Sequence, residues 1–320
     1  MSAFTPKVSV SVLAYQHVRY IARALDSVLA QRVDFPLEII VGDDYSTDGT
    51  RELLKDYERR YPDTIFAIYH PRRYDCIPGR INNLTNLYAC RGTYIAMLDG
   101  DDYWTDPDKL QRQVDYLDAH PEVAITFHDV MILTEGDSGT PPRRFSEVVA
   151  YLQSGRREFS HTDITLKWFT PTSSLVYRNH LLGELPPYFW QVISADHILL
   201  MLLSQHGNLY YFPEAMGIYR VHAHSFVNRF QYREENLLQK LQEIDIVREQ
   251  FGVPYTAHDY RYHRAIVYLK LLRLKWRERH VPGVAHYALR SVTHSPWLVG
   301  QRLLHHLRRL GESPKEPSQP

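Results

Sequence analysis

Asp99, Asp101 and Asp102 stand almost side by side in "YIAMLDGDDYWTDPDKLQRQV" (residues 94–114), directly after an apolar run. Carboxylates this close repel one another, and each is costly to desolvate unless a cation or hydrogen-bond donors compensate. Asp99-Gly100-Asp101 offers two oxygen donors on neighbouring backbone positions. Mg2+ and Mn2+ take such a set when they bind through one or two carboxylates plus substrate phosphates. Gly100 permits a tight turn between the two acids. The same residues also suit a plain acidic turn at a strand end. A second acidic pair, Asp43-Asp44 in "LEIIVGDDYSTDGT", ends another apolar run and leads into a helix. Asp44 is placed there to accept from a nucleobase N–H or a ribose hydroxyl, while Ser46, Thr47 and Asp48 are capping candidates.

The elements that must position these acids alternate in type. "KVSVSVLAY" (7–15) is a strand pattern, followed by a helix with Ile21, Leu25, Val28 and Leu29 on one face. Strands at 37–44 and 64–70 flank a helix that begins near "STDGT". "RINNLTNLYACRG" is a helix, "TYIAMLDGDD" a strand, and "PDKLQRQVDYLDAHP" a helix with Pro107 near its first turn. Such alternation predicts an α/β fold with a mostly parallel sheet covered on both faces, because parallel neighbours need crossover connections. Ligands of such sheets bind outside the carboxyl ends of the strands. The two acidic strand ends are therefore expected to converge on one crevice. "VAITFHDVMIL" (123–133) adds a strand and 135–145 reads as a turn-rich loop. Beyond about residue 226 the pattern changes to long helices, and 311–320 reads as a disordered tail.

The chain has 320 residues, 44% of them hydrophobic, enough for one large domain with an appendage. Only Cys76 and Cys90 are present, so no disulfide framework is expected and a reducing, cytoplasmic compartment fits. The start lacks the pattern of a secretory signal, and no apolar run is long enough for a transmembrane helix. The formal charge is zero overall, yet residues 261–310 carry eleven Lys or Arg against Glu278 alone, a net charge of +10. No nucleic-acid motif accompanies this charge. Apolar residues among the cations suit either a helical cap on the catalytic domain or a face lying on an anionic membrane.

Four stretches in this order, "VSVSVLAYQHVRYIARALDSVLAQ", "LEIIVGDDYSTDGT", "NLTNLYACRGTYIAMLDGDDYWTDPDKLQRQVDYL" and "GIYRVHAHS", resemble a bacterial family 2 glycosyltransferase with the GT-A fold. The resemblance covers roughly residues 7–225. It implies a GT-A domain over 1–225, a helical extension over 226–310, and the tail over 311–320. It further implies that Ala14 and Tyr15 line a nucleotide pocket, that Asp44 reads the base, that Asp99 and Gly100 face the ribose side, and that Asp101 holds Mn2+ or Mg2+ at the donor's diphosphate. By the same resemblance Asp196 in "SADHILLM" is the base that deprotonates the acceptor hydroxyl. An ordinary helix-capping role is its alternative, and Ala195 departs from the family's usual acid or glycine.

His222 in "YRVHAHS" would complete the metal or diphosphate site, with His224 as a competitor among seventeen histidines and Arg220 as a phosphate partner. Arg80 is either a second phosphate contact or a solvated side chain. Thr172 and Ser173 are candidates to touch acceptor hydroxyls, as is Asp102 for the sugars, and Trp104 is either a sugar-stacking platform or a packing residue. The expected reaction is an inverting transfer from a nucleotide sugar, UDP-linked in the first instance, to a glycan or lipid-linked acceptor in cell-surface polysaccharide synthesis. Its setting would be the cytoplasm or the inner membrane face. Two rivals remain: a nucleotidyltransferase, which would want a Gly-rich basic loop where "AYQHVRY" stands, and a non-catalytic nucleotide-sugar-binding protein.

Overall fold

The computed structural model describes residues 5–300 apart from 75–76, 137–140, 182, 224, 226–232 and 253–255. Cys76, His224, the basic residues Arg302, Arg308 and Arg309, and the tail expected at 311–320 lie outside the described residues. The chain divides into two compact units, one of Met1–Phe189 with Ser194–Ala223, the other of Trp190–Ile193 with His224–Pro320.

In the first unit β1 (Val8–Ala14), β2 (Leu37–Asp43), β3 (Ile65–Tyr69) and β4 (Tyr94–Asp99) alternate with α1 (Ile21–Leu29), α2 (Thr50–Arg60) and α3 (Arg80–Ala89). These strands pair in parallel in the order β3-β2-β1-β4. Then follow β5 (Tyr103–Trp104), α4 (Lys109–Ala119), β6 (Val123–Thr134), β7 (Arg143–Arg144), α5 (Phe145–Val148), β8 (Glu158–Phe159), α6 (His161–Leu166), β9 (Val176–Arg178), α7 (Ala195–Ser204) and β10 (Asn208–Val221). The sheet runs β3-β2-β1-β4-β9-β6-β10-β5, with β7 added to β6 and β8 to β10.

The sheet is mostly parallel, as expected, with one antiparallel insertion, and one sequence expectation, the loop, needs correction. β9 inserts antiparallel between β4 and β6, so the sheet is mixed across its middle. The loop expected over 135–145 ends in β7, where Arg143 and Arg144 pair with Ile132 and Met131. The β9 pairings are non-local, and alternation along the chain carries no signal for them.

β1 shows why this sequence makes a central strand. All seven residues are buried or nearly so, the signature of a parallel strand covered on both faces. Its serines are not exposed exceptions. Ser9 donates to Glu38 at 2.6 Å, and Glu38, fully buried, also receives Arg91. From above, α3 lowers Asn82 and Asn86, one turn apart, onto the strands. Asn82 donates to the Gly42 carbonyl at 2.9 Å, and Asn86 to Val12 and Ile40 at 2.9 and 3.2 Å. Gly42 makes the approach possible, since a Cβ there would lie 2.0 Å from Asn82 Oδ1. On the opposite side α1 packs Ile21, Ala24, Leu25 and Val28 into the core.

Beneath the turn that follows β4, Lys109 is fully buried with its ammonium 3.7 Å from the centroid of the Trp104 ring. Burial alone pushes its pKa well below that of a free lysine. The second unit holds three helices, α8 (Glu234–Phe251), α9 (Ala257–Arg277) and α10 (Val281–His294). A capping box of Thr256 and Asp259 starts α9.

Two outcomes follow for stability. Gly42→Ala should lower it by about 1–3 kcal/mol, read as a lower urea midpoint at unchanged slope. For Lys109 the unfolded chain binds the extra proton between the depressed folded pKa and the ordinary value, so wild-type stability rises with pH across that window. Lys109→Met should therefore be more stable than wild type at pH 7, read as a higher urea midpoint, and the gap should shrink as pH approaches the ordinary pKa of free lysine.

Candidate active site

The carboxyl ends of β1, β2 and β4 open on one crevice, as strands paired in parallel require. Ala14 at the end of β1 is buried and accepts the amide of Asp44 through its carbonyl at 2.9 Å. The next residues of the two strand-to-helix loops are laced together: Ser46 Oγ accepts Gln16 N at 2.9 Å, Thr50 Oγ1 accepts His17 N at 2.9 Å, and Asp48 accepts Val18 N at 3.0 Å. Asp43 is committed to this framework, accepting Ser46 N and Arg51 Nε. Asp44, its neighbour, points to a different partner. Its carboxylate pairs with Arg73 at 3.3 Å, and the Arg73 guanidinium lies 3.9 Å from the Tyr15 ring centroid. Burial raises the pKa of Asp44, and Arg73 and His70 oppose the rise.

At the end of β4 the acidic turn folds back on β1, with Gly100 N donating to Leu13 O at 2.8 Å. Gly100 is required for space: a Cβ there would meet His17 Nδ1 at 2.8 Å and Leu13 O at 2.8 Å. Its φ is not in the left-handed region, so the tight turn expected of it is a close approach. Asp101 accepts from His222 Nε2 at 2.9 Å, and His17 Nε2 lies 3.8 Å from the same oxygen. Burial works to raise the Asp101 pKa, but the His222 hydrogen bond and the His17 charge hold it below the usual carboxylate range. Asp99 is pushed the other way, up to about 7, first by burial and then by the charges of Asp101 and Asp196. Asp196 sits in the first turn of α7 behind Ser194 as N-cap, so capping is not its role. Thr172 Oγ1 donates to it at 3.2 Å.

Arg220 holds the turn from behind. Its backbone N–H donates to Asp102 at 2.7 Å, its Nε to the Asp101 carbonyl at 2.8 Å, and its Nη1 meets Glu135 at 3.1 Å. Tyr20 donates to the other Glu135 oxygen at 2.7 Å and lies beside the His222 ring, 5.1 Å between centroids. The guanidinium is thus occupied by the turn itself and does not stand ready for a phosphate.

The structure therefore brings Tyr15, Asp44, Asp99, Gly100, Asp101, Asp196, Thr172 and His222 to the crevice, with Ala14 supplying backbone. It does not bring four other predicted residues there. Asp102 is 2% exposed and accepts Ser173 Oγ at 2.6 Å, so both are a buried strut beneath the turn, with burial pushing Asp102 toward its neutral form. Trp104 is buried, its indole N–H donating to Ser173 O at 2.8 Å, so neither ring face is available to a sugar. Arg80 is 3% exposed, donates to the Phe189 carbonyl and lies over the Phe189 ring, away from solvent and from any phosphate. In turn, Arg73, His17 and Tyr20 were not singled out from the sequence. Arg73 follows β3, whose carboxyl end adjoins that of β2, and the rule for parallel sheets was the signal that could have found it.

The donor chemistry fits a divalent ion. Asp99 feels the charges of Asp101 and Asp196, His222 is the imidazole beside Asp101, and the Arg220 guanidinium is already engaged. Among the described residues no three His, Cys, Asp or Glu side chains close into a metal cage.

The pattern of Glycosyl transferase family 2 matches residues 9–181, more than half of the chain. An uncharacterized protein of Mycobacterium tuberculosis H37Rv is 38% identical over 68% of this chain, which spans 59% of that relative's length. An uncharacterized glycosyltransferase of Nostoc is 28% identical over 95% of this chain and 93% of its own. Among solved structures, TarS residues 1–349 of S. aureus, in complex with UDP-GlcNAc, superimposes with a TM-score of 0.56 at 17% identity, covering 90% of this chain and 89% of that one. The mannosyltransferase PcManGT of Pyrobaculum calidifontis, in complex with GDP-Man and Mn2+, gives 0.53 at 18% identity, covering 95% and 86%. Both are GT-A glycosyltransferases, and they share the fold of this chain. Family match, fold and the order of the acidic strand ends agree: the chain belongs to glycosyl transferase family 2.

Proposed function

We propose that this chain transfers a glycosyl group from a nucleotide-sugar donor, UDP-linked in the first instance, to a hydroxyl of a glycan or lipid-linked acceptor, with inversion at the anomeric carbon. Capsule-type or other cell-surface polysaccharide synthesis is the setting we infer, and a lipid-linked acceptor places the work at the inner face of the cell membrane. The observation that carries the reading is the meeting of Asp196 with Asp99 and Asp101 at the carboxyl end of β4, beside the Asp44–Arg73–Tyr15 cluster. The donors named for TarS and PcManGT support the donor class, and a putative teichuronic acid biosynthesis glycosyltransferase of Bacillus subtilis, 32% identical over 45% of this chain, supports the setting.

Each residue has a task in this reaction. Asp44 receives base N–H groups, Tyr15 and Arg73 flank the base plane, and Asp99 hydrogen-bonds the ribose. Asp101 and His222 are the residues that would hold Mn2+ or Mg2+, whose charge offsets that of the departing diphosphate. Asp196 accepts the proton of the acceptor hydroxyl as that oxygen forms its bond to sugar C1 and the bond from C1 to the diphosphate breaks, the electron pair leaving with the phosphate. Thr172 donates to Asp196 and so orients the oxygen that takes the proton.

Asp196→Asn should cut kcat by about 10²–10⁴-fold while leaving the dissociation constant for UDP nearly unchanged in calorimetry. A non-catalytic binder would show no transfer to lose. In thermal-shift measurements UDP with Mn2+ should raise the melting temperature of wild type, by about 2.7 kcal/mol of stabilisation when ligand is a hundredfold above its dissociation constant. EDTA or Asp101→Asn should abolish that rise; a rise of equal size with EDTA present would refute a metal-bridged diphosphate.

A further inference from the structure

In the second unit α9 and α10 form a tight antiparallel pair. Arg279 turns the chain with a φ of +56°, and Gly283 allows the approach, since a Cβ there would lie 2.8 Å from Lys275 Cγ of α9. Tyr268 of α9 is buried against Tyr287 and His294 of α10, with ring centroids 6.3 and 5.0 Å away. That contact uses only one side of α10. The other side carries Val281, Ala285, Leu289 and Val292, spaced by four, four and three residues, which places them on one face of the helix. All four are exposed: Val281 is 74%, Leu289 67% and Val292 44% accessible. Two tryptophans extend this apolar surface in sequence on either side, Trp276 at 70% and Trp297 at 64%.

Isolated apolar residues on a surface are ordinary, but a continuous helical stripe with two exposed tryptophans is not. The chain on either side of it in sequence is rich in arginine. Arg273, Arg277, Arg279 and Arg290 are exposed, and none pairs with an acidic side chain among the described residues. Lys275 alone is neutralised, between Glu234 and Glu278. From residue 279 to residue 300 there is no Asp or Glu. A protein partner that covered this stripe with its own apolar residues would still face four uncompensated guanidinium groups. An anionic lipid surface satisfies both features together: acyl chains take the stripe, tryptophans settle at the headgroup level, and phosphates meet the arginines.

We propose that the α9–α10 pair is a membrane-docking surface for anionic phospholipid, lying flat in the interface. No helix among the described residues is long and apolar enough to cross a membrane. The binding does not depend on catalysis, so it stands or falls separately from the glycosyl transfer inferred above.

The test is flotation of the full chain with vesicles of phosphatidylcholine alone or with 30 mol% phosphatidylglycerol (roughly the anionic content at which each basic residue contributes measurably), in low and high salt. Wild type should float with the anionic vesicles only, and salt should release it. Arg277→Gln and Arg290→Gln should each weaken binding by about fivefold, and Leu289→Glu should abolish it while leaving the circular dichroism spectrum and donor hydrolysis unchanged. Leu289 is exposed, so its replacement removes no core packing, and Trp297→Ser gives an independent apolar variant. Absence of wild-type flotation with anionic vesicles, equal flotation with phosphatidylcholine alone, or full binding by both apolar variants would each overturn the proposal. A dimer in sedimentation that Leu289→Glu dissociates, with no flotation, would assign the stripe to a second copy of this chain and overturn it equally.

Discussion

Crowded negative charge at the end of β4 is the constraint on which this molecule is arranged. Three consecutive acidic positions around one glycine, joined by Asp196 from a distant helix, cannot all be ionised in a buried crevice without help. The protein supplies part of that help in graded form. Asp102 is removed from the problem by being sunk beneath the turn onto Ser173 and the Arg220 amide. Asp101 keeps its charge because His222 and His17 face it. Asp99 is left under-compensated, with burial and the charges of Asp101 and Asp196 all opposing its ionisation. A stretch of four residues thus holds a strut, an anion and a proton-sharing acid, separated only by which neighbours each one faces.

Much of this was legible in the sequence, for a physical reason. A parallel sheet puts every strand's carboxyl end on one edge, so acids that close apolar runs must meet there, whatever the details of the loops. Asp44, Asp99, Asp101, Asp196 and His222 follow from that rule together with the family resemblance. The errors have other causes. Asp102 and Trp104 lie close in sequence to residues of the crevice, but proximity in a turn does not determine direction; Ser173, in a tight turn, and Arg80, at the start of α3, are drawn inward by Asp102 and the Phe189 carbonyl. Trp104 and Ser173 point into the core, where each satisfies the other's neighbourhood through one indole hydrogen bond. Arg73 escaped notice because a lone arginine after a strand has no spacing signature. β9 escaped as an antiparallel insertion because strand pairing across eighty residues leaves no local trace.

The two units present opposite uses of arginine. In the first, guanidinium groups are consumed by backbone carbonyls and buried acids: Arg220 on Asp101, Arg80 on Phe189, Arg178 on the carbonyls of Val123, Leu117 and His120. There the planar fork fixes loops in place. In the second unit, on α9 and α10, the exposed arginines fix nothing within the fold. A sequence count of charge cannot tell these populations apart, and only the list of partners shows which cations belong to the architecture and which face outward.

The saturation of the DGDD turn has an evolutionary corollary. Gly100 admits no side chain, Asp102 and Ser173 are mutually buried, and Arg220 grips the turn at the Asp102 carboxylate and the Asp101 carbonyl. Almost any substitution here breaks a hydrogen bond or a steric fit before it alters what the crevice recognises. Changes in what the crevice recognises are therefore tolerated more easily in the loops around this turn than within it.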